Sequence, residues 1–244
     1  MQQITFFDLQ QKEDGINKYV RPITYDETKP FLLGIHYARR MPCITNSFGL
    51  FVDEELVGVV TYGVPASHHL CIGLAGVENQ YNVLELNRLV LLPDCNGGGK
   101  NYASFLVSKS LKLLPNGTFV VSYADTAWTH VGYIYQACNF LYTGMSAKRL
   151  DTYQPDGLHP RAYDKENHST LYQTRSQKHR YVYLVGDKRT KKRMRSQLKY
   201  PVYDKYPKGD EQQYDINNPK VVHPIQIIDR HGEEHEENHS ITGS

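Results

Sequence analysis

Three consecutive glycines stand in the segment 96–101, between a strand-like apolar run and an amphipathic helix pattern. Such a turn lets several backbone N–H groups point at one anion, and the N-terminus of the following helix adds partial positive charge. The segment matches neither the GxxxxGK(S/T) nucleotide loop nor the GxGxxG dinucleotide fingerprint. We therefore predict that this turn binds an anion; the alternative is a merely flexible turn. The predicted binding residues are those of the turn and two flanking positions: Leu91, Asn96, Gly97, Gly98, Gly99, Lys100, Asn101 and Ser104.

Two side chains suited to acid–base chemistry occur at and after the end of the next predicted strand. The first is Asp125, at the end of that strand, and the second is Tyr135. A carboxylate at a strand end can accept a proton from an amine or hydrogen-bond to it. Further along the chain, the hydroxyl of Tyr135 can protonate a leaving group. The structural alternatives are that Asp125 caps the helix predicted over 129–138 and that Tyr135 packs with its hydroxyl satisfied.

Arg88 lies inside an apolar strand pattern, where a charged side chain needs a partner or a ligand. A buried ion pair with a purely structural role is the alternative. Tyr62, at the end of the preceding strand pattern, is a weaker candidate of the same kind. Arg88 and Tyr62 therefore join Asp125 and Tyr135 as catalytic candidates.

Positive charge is concentrated in one short block, although the net charge of the chain is only +2. Residues 175–199 contain 10 Lys+Arg against 1 Asp+Glu, a local excess of +9. Such a block indicates a polyanion such as nucleic acid, while a solvated helix face or a disordered linker is the alternative. The predicted phosphate contacts are Lys188, Arg189, Lys191, Lys192, Arg193 and Arg195.

A second polar and aromatic cluster precedes Pro42. Arginine with aromatic rings suits phosphate binding and base stacking, and a surface helix is the alternative. The predicted DNA-binding residues of this cluster are His36, Tyr37, Arg39 and Arg40.

Sequence spacing predicts no metal site. His68 and His69 would point to opposite faces of a strand, and the three terminal histidines lie in a glutamate-rich tail. A metal site formed by ligands that are far apart in the sequence is an alternative that spacing does not exclude. The four cysteines form no CxxC pair, no apolar run approaches the roughly 20 residues of a membrane span, and no signal-peptide pattern is present. We expect reduced thiols, no membrane partner and a cytoplasmic location.

The hydrophobic periodicity predicts an α+β fold. Strands are expected at 47–64 (a hairpin), 81–92, 118–123, 140–143 and 181–185, and helices at 102–114 and 129–138. From about residue 150 the sequence is rich in Pro, Asp, His and Tyr without a clear period. We predict a catalytic domain over 1–150, a basic, tyrosine-rich extension packed on it over 151–228, and a disordered acidic tail over 229–244.

The succession of strand, glycine-rich turn, helix, strand, helix and strand resembles the GNAT N-acetyltransferase fold. In that family two central parallel strands of a mixed sheet splay apart, acetyl-CoA or another acyl-CoA lies between them, and a loop holds its pyrophosphate. The resemblance implies that 96–101 is this loop and that Tyr135 is the general-acid tyrosine of a Tyr-x-x-x-Gly-Phe pattern. This chain differs in having Asn139 in place of the glycine, and Asn96 and Asn101 at the two ends of the loop.

A closer resemblance covers about residues 36–208. It rests on the motifs Leu86-Asn87-Arg88-Leu89, Tyr123-Ala124-Asp125-Thr126, His130-x-Gly132, Tyr133-Ile134-Tyr135-Gln136-Ala137, Asn139-Phe140 and Tyr142-x-Gly144. Together with the basic, tyrosine-rich tail, these motifs resemble the phage Mom DNA-modification proteins. That family converts adenine in phage DNA to N6-carbamoylmethyl-adenine, which protects the DNA from host restriction. The resemblance implies double-stranded DNA as the substrate, base flipping to reach it, and a location in the host cytoplasm.

Two other functions stay open at this point. One is an acyl-CoA-dependent N-acyltransferase acting on a protein or a small amine, and the other is a non-catalytic DNA-binding anti-restriction protein. The basic block favours DNA over the first, and the pair Asp125 and Tyr135 favours chemistry over the second. Both a monomer and a dimer are compatible with the sequence.

Overall fold

The computed structural model describes residues 10–13, 16–95, 101–153, 171–209, 226–229 and 234–235 of the 244-residue chain. The predicted disorder of the acidic tail falls largely outside these ranges. None of the helices in the described ranges is long and apolar enough to cross a membrane.

Two β-sheets are built from twelve described strands. These are Gln10–Glu13 (β1), Ile16–Pro22 (β2), Asn46–Val52 (β3), Glu55–Gly63 (β4), Val83–Leu91 (β5), Phe119–Asp125 (β6), Leu141–Met145 (β7), Arg149–Thr152 (β8), Tyr172–Arg175 (β9), Lys178–Leu184 (β10), Ile227–Ile228 (β11) and Glu234–His235 (β12). The main sheet has the order β1-β2-β3-β4-β5-β6-β10-β7, and the small sheet has the order β12-β11-β9-β8. The predicted α+β class, with a mixed main sheet, is confirmed.

Helices cover both faces of the main sheet. Their bounds are Tyr25–Lys29 (α1), His68–Ala75 (α2), Tyr102–Leu113 (α3), Tyr133–Ala137 (α4) and Lys188–Gln197 (α5), and a π-helical turn at Pro30–Ile35 directly follows α1. Local capping explains two of the starts. Thr24 and Glu27 form a capping box before α1, and Asp187 accepts a hydrogen bond from the backbone N–H of Thr190 at 2.7 Å before α5.

The core is divided between the two faces. On the first, which we call the α3 face, Leu106 and Leu111 of α3 pack with Leu50 and Tyr62. The opposite face carries two separate apolar clusters, one under α2 and α5 and the other under the π-helical turn. The site described below lies on this opposite face, on the strands β5 and β6.

The described residues contain one parallel strand pair, β5 with β6, and it separates early. Only three pairs are formed, the last between Glu85 and Val121, although β5 continues to Leu91 and β6 to Asp125. Beyond this point β5 remains paired with β4, and β6 with β10. The splayed central strands expected from the GNAT resemblance are therefore present.

The sequence-based elements agree with the structure in the hairpin β3–β4, in α3 and in β10. The helix predicted over 129–138 is wrong in extent, because Thr129 and Gly132 have φ of 55° and 81° and break the helix before Tyr133. The strand assumed around His68 is also wrong. That segment is the helix α2. Its N-cap residue is Ser67, whose backbone oxygen accepts the first backbone hydrogen bond of the helix.

The basic block and its surroundings are more ordered than their composition indicated. Residues 188–197 form the helix α5, which decides between the helix and the disordered linker that the sequence left open. β10 lies inside the main sheet between β6 and β7, although it belongs to the segment predicted as an extension. The predicted division at residue 150 stays a prediction.

Gly132 provides a stability test of the turn before α4. Its φ is 81°, and a Cβ there would lie 2.5 Å from Cε2 of the fully buried Tyr181. Gly117, with φ of 92° and nothing within 4 Å of the same position, is the matched control. We expect Gly132→Ala to lower the free energy of unfolding by about 1–3 kcal/mol more than Gly117→Ala, as measured by urea denaturation. Equal losses of unfolding free energy in the two variants would show that the ring of Tyr181 moves away from the added methyl group without strain.

Candidate active site where two parallel strands part

A β-bulge in β5 places Glu85 and Arg88 on the same face of the sheet. Two adjacent residues of β4 pair with Leu86 and Arg88, so Asn87 between them has no partner on that strand. In a regular strand, residues three apart point to opposite faces, and one extra residue reverses this. Both charged side chains therefore lie on the face opposite α3.

The side chain of Asn87 holds this bulge in place. Thr61 donates its hydroxyl hydrogen to Oδ1 of Asn87 at 2.6 Å, and Nδ2 donates to the backbone oxygen of Cys43 at 2.8 Å. Asn87 thereby ties β5 to β4 and to the segment before β3. Bulges of this kind re-aim side chains next to active sites.

Arg88 has a hydrogen-bond donor without an acceptor. Its Nη1 donates to the backbone oxygen of Asn87 at 2.6 Å, but its buried Nε has no partner within the described part of the chain. Burial lowers the pKa of Arg88, with Arg40 acting in the same direction and Tyr37 and Glu85 opposing it. The guanidinium stays charged, and its free Nε–H is suited to a ligand acceptor.

His36 lies beside Arg88, at the end of the π-helical turn. It is buried, its Nδ1 accepts the backbone N–H of Ala38 at 3.1 Å, and its ring lies 4.3 Å from that of Tyr37. Tyr37 in turn lies 5.2 Å from the ring of Trp128. Burial and the charge of Arg88 lower the pKa of His36 to about 3, so the ring is neutral at physiological pH. A neutral ring suits stacking rather than phosphate binding.

Asp125 is an engaged carboxylate at the end of β6. Its Oδ2 lies 2.9 Å from Nζ of Lys178, and its Oδ1 accepts the backbone N–H of Ala127 at 3.0 Å. Burial would raise the pKa of Asp125, but the hydrogen bond from Ser176 and the charge of Lys178 lower it below its ordinary value. Asp125 therefore caps the short 3-10 turn that carries Trp128, and it is ionised at neutral pH.

Sequence reasoning missed Glu85 and Tyr123, which lie on the same face of the sheet as Arg88 and Asp125. Burial raises the pKa of Glu85, against the opposing charges of Lys178 and Arg88. Burial also raises the pKa of Tyr123, and Glu85 adds to that shift. A second charged residue in the β5 pattern was the available signal, but its face depends on the bulge, which no spacing rule reveals.

The other two catalytic candidates lie toward the α3 face. Tyr62 is fully buried, and its hydroxyl lies 2.7 Å from that of Ser110 on α3. This is the environment of a core tyrosine, and burial raises its pKa. Tyr135 on α4 is half-buried, with its ring 5.4 Å from Phe140 and 5.3 Å from Tyr181. Tyr135 therefore packs against the core cluster of the α3 face, on the side of the sheet opposite Arg88.

Most of the predicted cofactor loop lies outside the described residues. Asn101, the N-cap of α3, has φ of 50° and makes no side-chain cap hydrogen bond. Ser104 donates its hydroxyl hydrogen to the backbone oxygen of Asn101 at 3.0 Å, and Leu91 is buried against α3. The predicted loop residues outside the described ranges are Asn96, Gly97, Gly98, Gly99 and Lys100.

The predicted DNA contacts fall into two surfaces. On α5, Met194 faces the core, and Lys191 turns inward to donate to the hydroxyl of Tyr183 at 3.0 Å. The other five basic residues of this helix are exposed, and we call them the α5 basic surface: Lys188, Arg189, Lys192, Arg193 and Arg195. In the second cluster, Arg39 and Arg40 are exposed beside the buried His36. The described residues contain no group of three or more metal-ligating side chains.

The parting of β5 and β6, with α3 on one face and charged and aromatic side chains on the other, gives the chain a GNAT-like fold. A comparison of the sequence with known families identifies the family. The sequence profile of the Mom protein family matches residues 17–208, and the chain belongs to this family.

The individual relatives share 30% sequence identity or less with this chain. "Methylcarbamoylase mom" of Escherichia phage Mu is 30% identical over 126 residues, which are 50% of this chain and 51% of the relative, so the match spans about half of that protein. An acetyltransferase of the GNAT family from Bacillus cereus has 14% identity and a TM-score of 0.40, covering 68% of this chain and 96% of that chain. A Bacillus subtilis acetyltransferase in complex with CoA has 14% identity and a TM-score of 0.39, with 68% and 95% covered.

The buried neutral His36 predicts a pH-dependent stability. Its folded pKa of about 3 is below the unfolded value near 6.5, so the unfolded chain binds more protons between these values and stability is lost as the pH falls. His36→Asn keeps an acceptor for Ala38 but cannot titrate. We expect the free energy of unfolding of the wild type, relative to this variant, to fall by about 1 kcal/mol per pH unit between pH 6 and pH 4. A difference that does not change with pH for His36→Asn would mean that the ring accepts a proton in the folded state.

Proposed function

We propose that this chain transfers a carbamoylmethyl group to the N6 amine of adenine in phage DNA, and that the modified DNA is protected from host restriction enzymes. Membership of the Mom family and the name of the phage Mu relative support this proposal. The structural observation that carries it is the pocket at the parting of β5 and β6, with a buried arginine donor, carboxylates and stacking rings.

The pocket has the properties that an extrahelical base requires. Adenine N6 is out of reach of a protein pocket while the base is stacked, so an enzyme acting on it turns the base out of the duplex. Such a base is held by stacking on aromatic side chains and by hydrogen bonds to its edge. In this proposal the base packs beside the aromatic cluster that contains Tyr37 and Trp128, whose rings lie 5.2 Å apart, and Arg88 offers a donor for a ring nitrogen.

The charges of the pocket suit an amine that acts as a nucleophile. N6 gains positive charge as its new bond forms, and it then loses a proton. Asp125 is already ionised, so its carboxylate stabilises this positive charge. Lys178 fixes the orientation of that carboxylate at 2.9 Å. In this proposal Asp125 takes the proton from N6 after the new bond has formed, when N6 is strongly acidic, and the hydroxyl of Tyr135 protonates the leaving group.

An acyl-CoA is the donor class that the fold implies, and the described residues fit it. No side chain caps the first turn of α3, whose N-terminus follows the glycine-rich segment directly. Backbone N–H groups at such a terminus suit a diphosphate. When bound, an acyl-CoA would hold its acyl group on the α3 side of the gap, whereas the base would enter from the opposite face. Attack of N6 on the thioester carbon alone would give an N6-acyl-adenine with CoA as the leaving group, so a carbamoylmethyl product also requires a nitrogen donor for its carboxamide and a bond from N6 to the methylene carbon.

The α5 basic surface supplies the affinity for DNA in this proposal. Its five exposed Lys and Arg side chains belong to a helix that is fixed to the sheet through Met194 and through the hydrogen bond from Lys191 to Tyr183. These two contacts hold the helix against the main sheet, with its charges directed to solvent. Phosphate contacts of this kind hold a protein in register on a duplex and carry no sequence information.

Mass spectrometry of nucleosides tests the proposed chemistry directly. DNA from cells that express the wild type should contain deoxyadenosine with the added mass of a carbamoylmethyl group. Asp125→Asn keeps the cap on Ala127 but loses the charge and the ion pair with Lys178, so the modification should fall by about 100-fold or more. Lys178→Met, which removes the same ion pair and keeps the carboxylate, controls for the loss of stability. Acylated protein with unmodified DNA would identify a protein acyltransferase instead. Unmodified DNA with abundant folded wild type would contradict the proposal.

The α5 basic surface predicts a steep salt dependence of DNA binding. Replacing Arg189, Lys192 and Arg193 by Gln should reduce the slope of log affinity against log salt by about 2.7 on duplex DNA, which is about 0.9 for each lost phosphate contact. The control removes three exposed lysines from other elements, Lys29, Lys112 and Lys208. Equal effects of the two triple variants would show that net charge, and not this surface, determines the affinity.

A further inference from the structure

We propose that Glu85 and Arg88 together read the edge of the target base, with Glu85 accepting a hydrogen bond from the exocyclic amine and Arg88 donating to N7 of the purine ring. This inference rests on the proposed function, because it names the groups that select adenine at the same pocket. Neither the family match nor the phage Mu relative assigns a role to Glu85.

The bulge at Asn87 provides the geometry for this reading. Glu85 forms the last pair of β5 with β6, so its side chain lies at the point where the gap opens. Arg88 follows on the same face because Asn87 is the extra residue. An acceptor and a donor on one strand therefore face the same space, and Asn87 fixes their relative position through Thr61 and Cys43.

Both groups have unused hydrogen-bonding capacity. The carboxylate of Glu85 forms no hydrogen bond or ion pair within the described residues, and neither does Nε of Arg88. The neighbouring charges are already engaged. Lys178 pairs with Asp125 at 2.9 Å, and Arg180 donates to Thr143.

The two groups are complementary to adenine. The adenine edge presents the N6 amine as a donor next to N7 as an acceptor, which matches a carboxylate beside an arginine N–H. Guanine presents O6 in place of the amine, and a carboxylate repels that acceptor. Cytosine has an exocyclic amine but no N7, so it would leave Nε of Arg88 unpaired. The pair therefore distinguishes adenine from the other bases.

Binding to matched single strands tests this inference without requiring turnover. The probes are a thymidine strand with five adenines, the same strand with purine lacking the 6-amino group, and the same strand with 7-deazaadenine. We expect the wild type to bind the adenine strand about tenfold more tightly than either analogue, in fluorescence anisotropy, for the loss of one charged hydrogen bond. Glu85→Met should abolish the preference for adenine over purine and keep the preference over 7-deazaadenine. Glu85→Gln, which retains an acceptor, should preserve both.

The controls separate recognition from folding and from the proposed function. Glu55→Met makes the same change at an exposed site on β4 and should leave every preference intact. Affinity for a thymidine-only strand reports whether each variant is folded.

If Glu85→Met still discriminates adenine from purine, or if Glu85→Gln loses that discrimination, Glu85 does not read the amine. If the wild type binds 7-deazaadenine as tightly as adenine, Arg88 does not read N7. In either case, carbamoylmethyl-deoxyadenosine in cellular DNA would show that the proposed function survives.

Discussion

The early separation of β5 and β6 determines where chemistry can occur in this fold. Past Glu85 and Val121, each strand keeps its outer neighbour and forms no further backbone pair with its inner one. Side chains satisfy two of the backbone oxygens on this edge of β5, since Ser122 donates to Leu86 at 3.1 Å and Arg88 donates to Asn87 at 2.6 Å. Every candidate side chain therefore acquires its role from its position relative to this gap.

The two sides of the gap have different chemistry. On the α3 face, Tyr62 and Ser110 satisfy each other within an apolar core. On the opposite face, the apolar packing is interrupted between two clusters, and the interruption is lined by charged and aromatic groups. The bulge in β5 and the π-helical turn before His36 both create this interruption, and such local irregularities are common at functional sites. In the proposed reaction, the acyl donor and the base approach one another from these opposite faces.

The elements predictable from sequence were those with strong local patterns. The hairpin β3–β4 and the helix α3 follow from periodicity, and Arg88 stood out because an apolar strand contained a charge. Glu85 was not recognised, because its face depends on which residue of β5 lacks a partner. The helix predicted over 129–138 was wrong in extent because Thr129 has a positive φ of 55°, a conformation that is rare for a β-branched residue and that no sequence pattern indicates. The burial and neutrality of His36 likewise depend on residues distant in sequence.

A structure of this protein bound to duplex DNA would test the central claim most directly, namely that the gap between β5 and β6 receives the target base. The account predicts one adenine turned out of the duplex, stacked near Tyr37 and Trp128, with its N6 amine within hydrogen-bonding distance of a carboxylate on the face opposite α3. The α5 basic surface would contact the phosphates beside it. A complex in which every base stays stacked, or in which the base enters from the α3 face, would contradict the account.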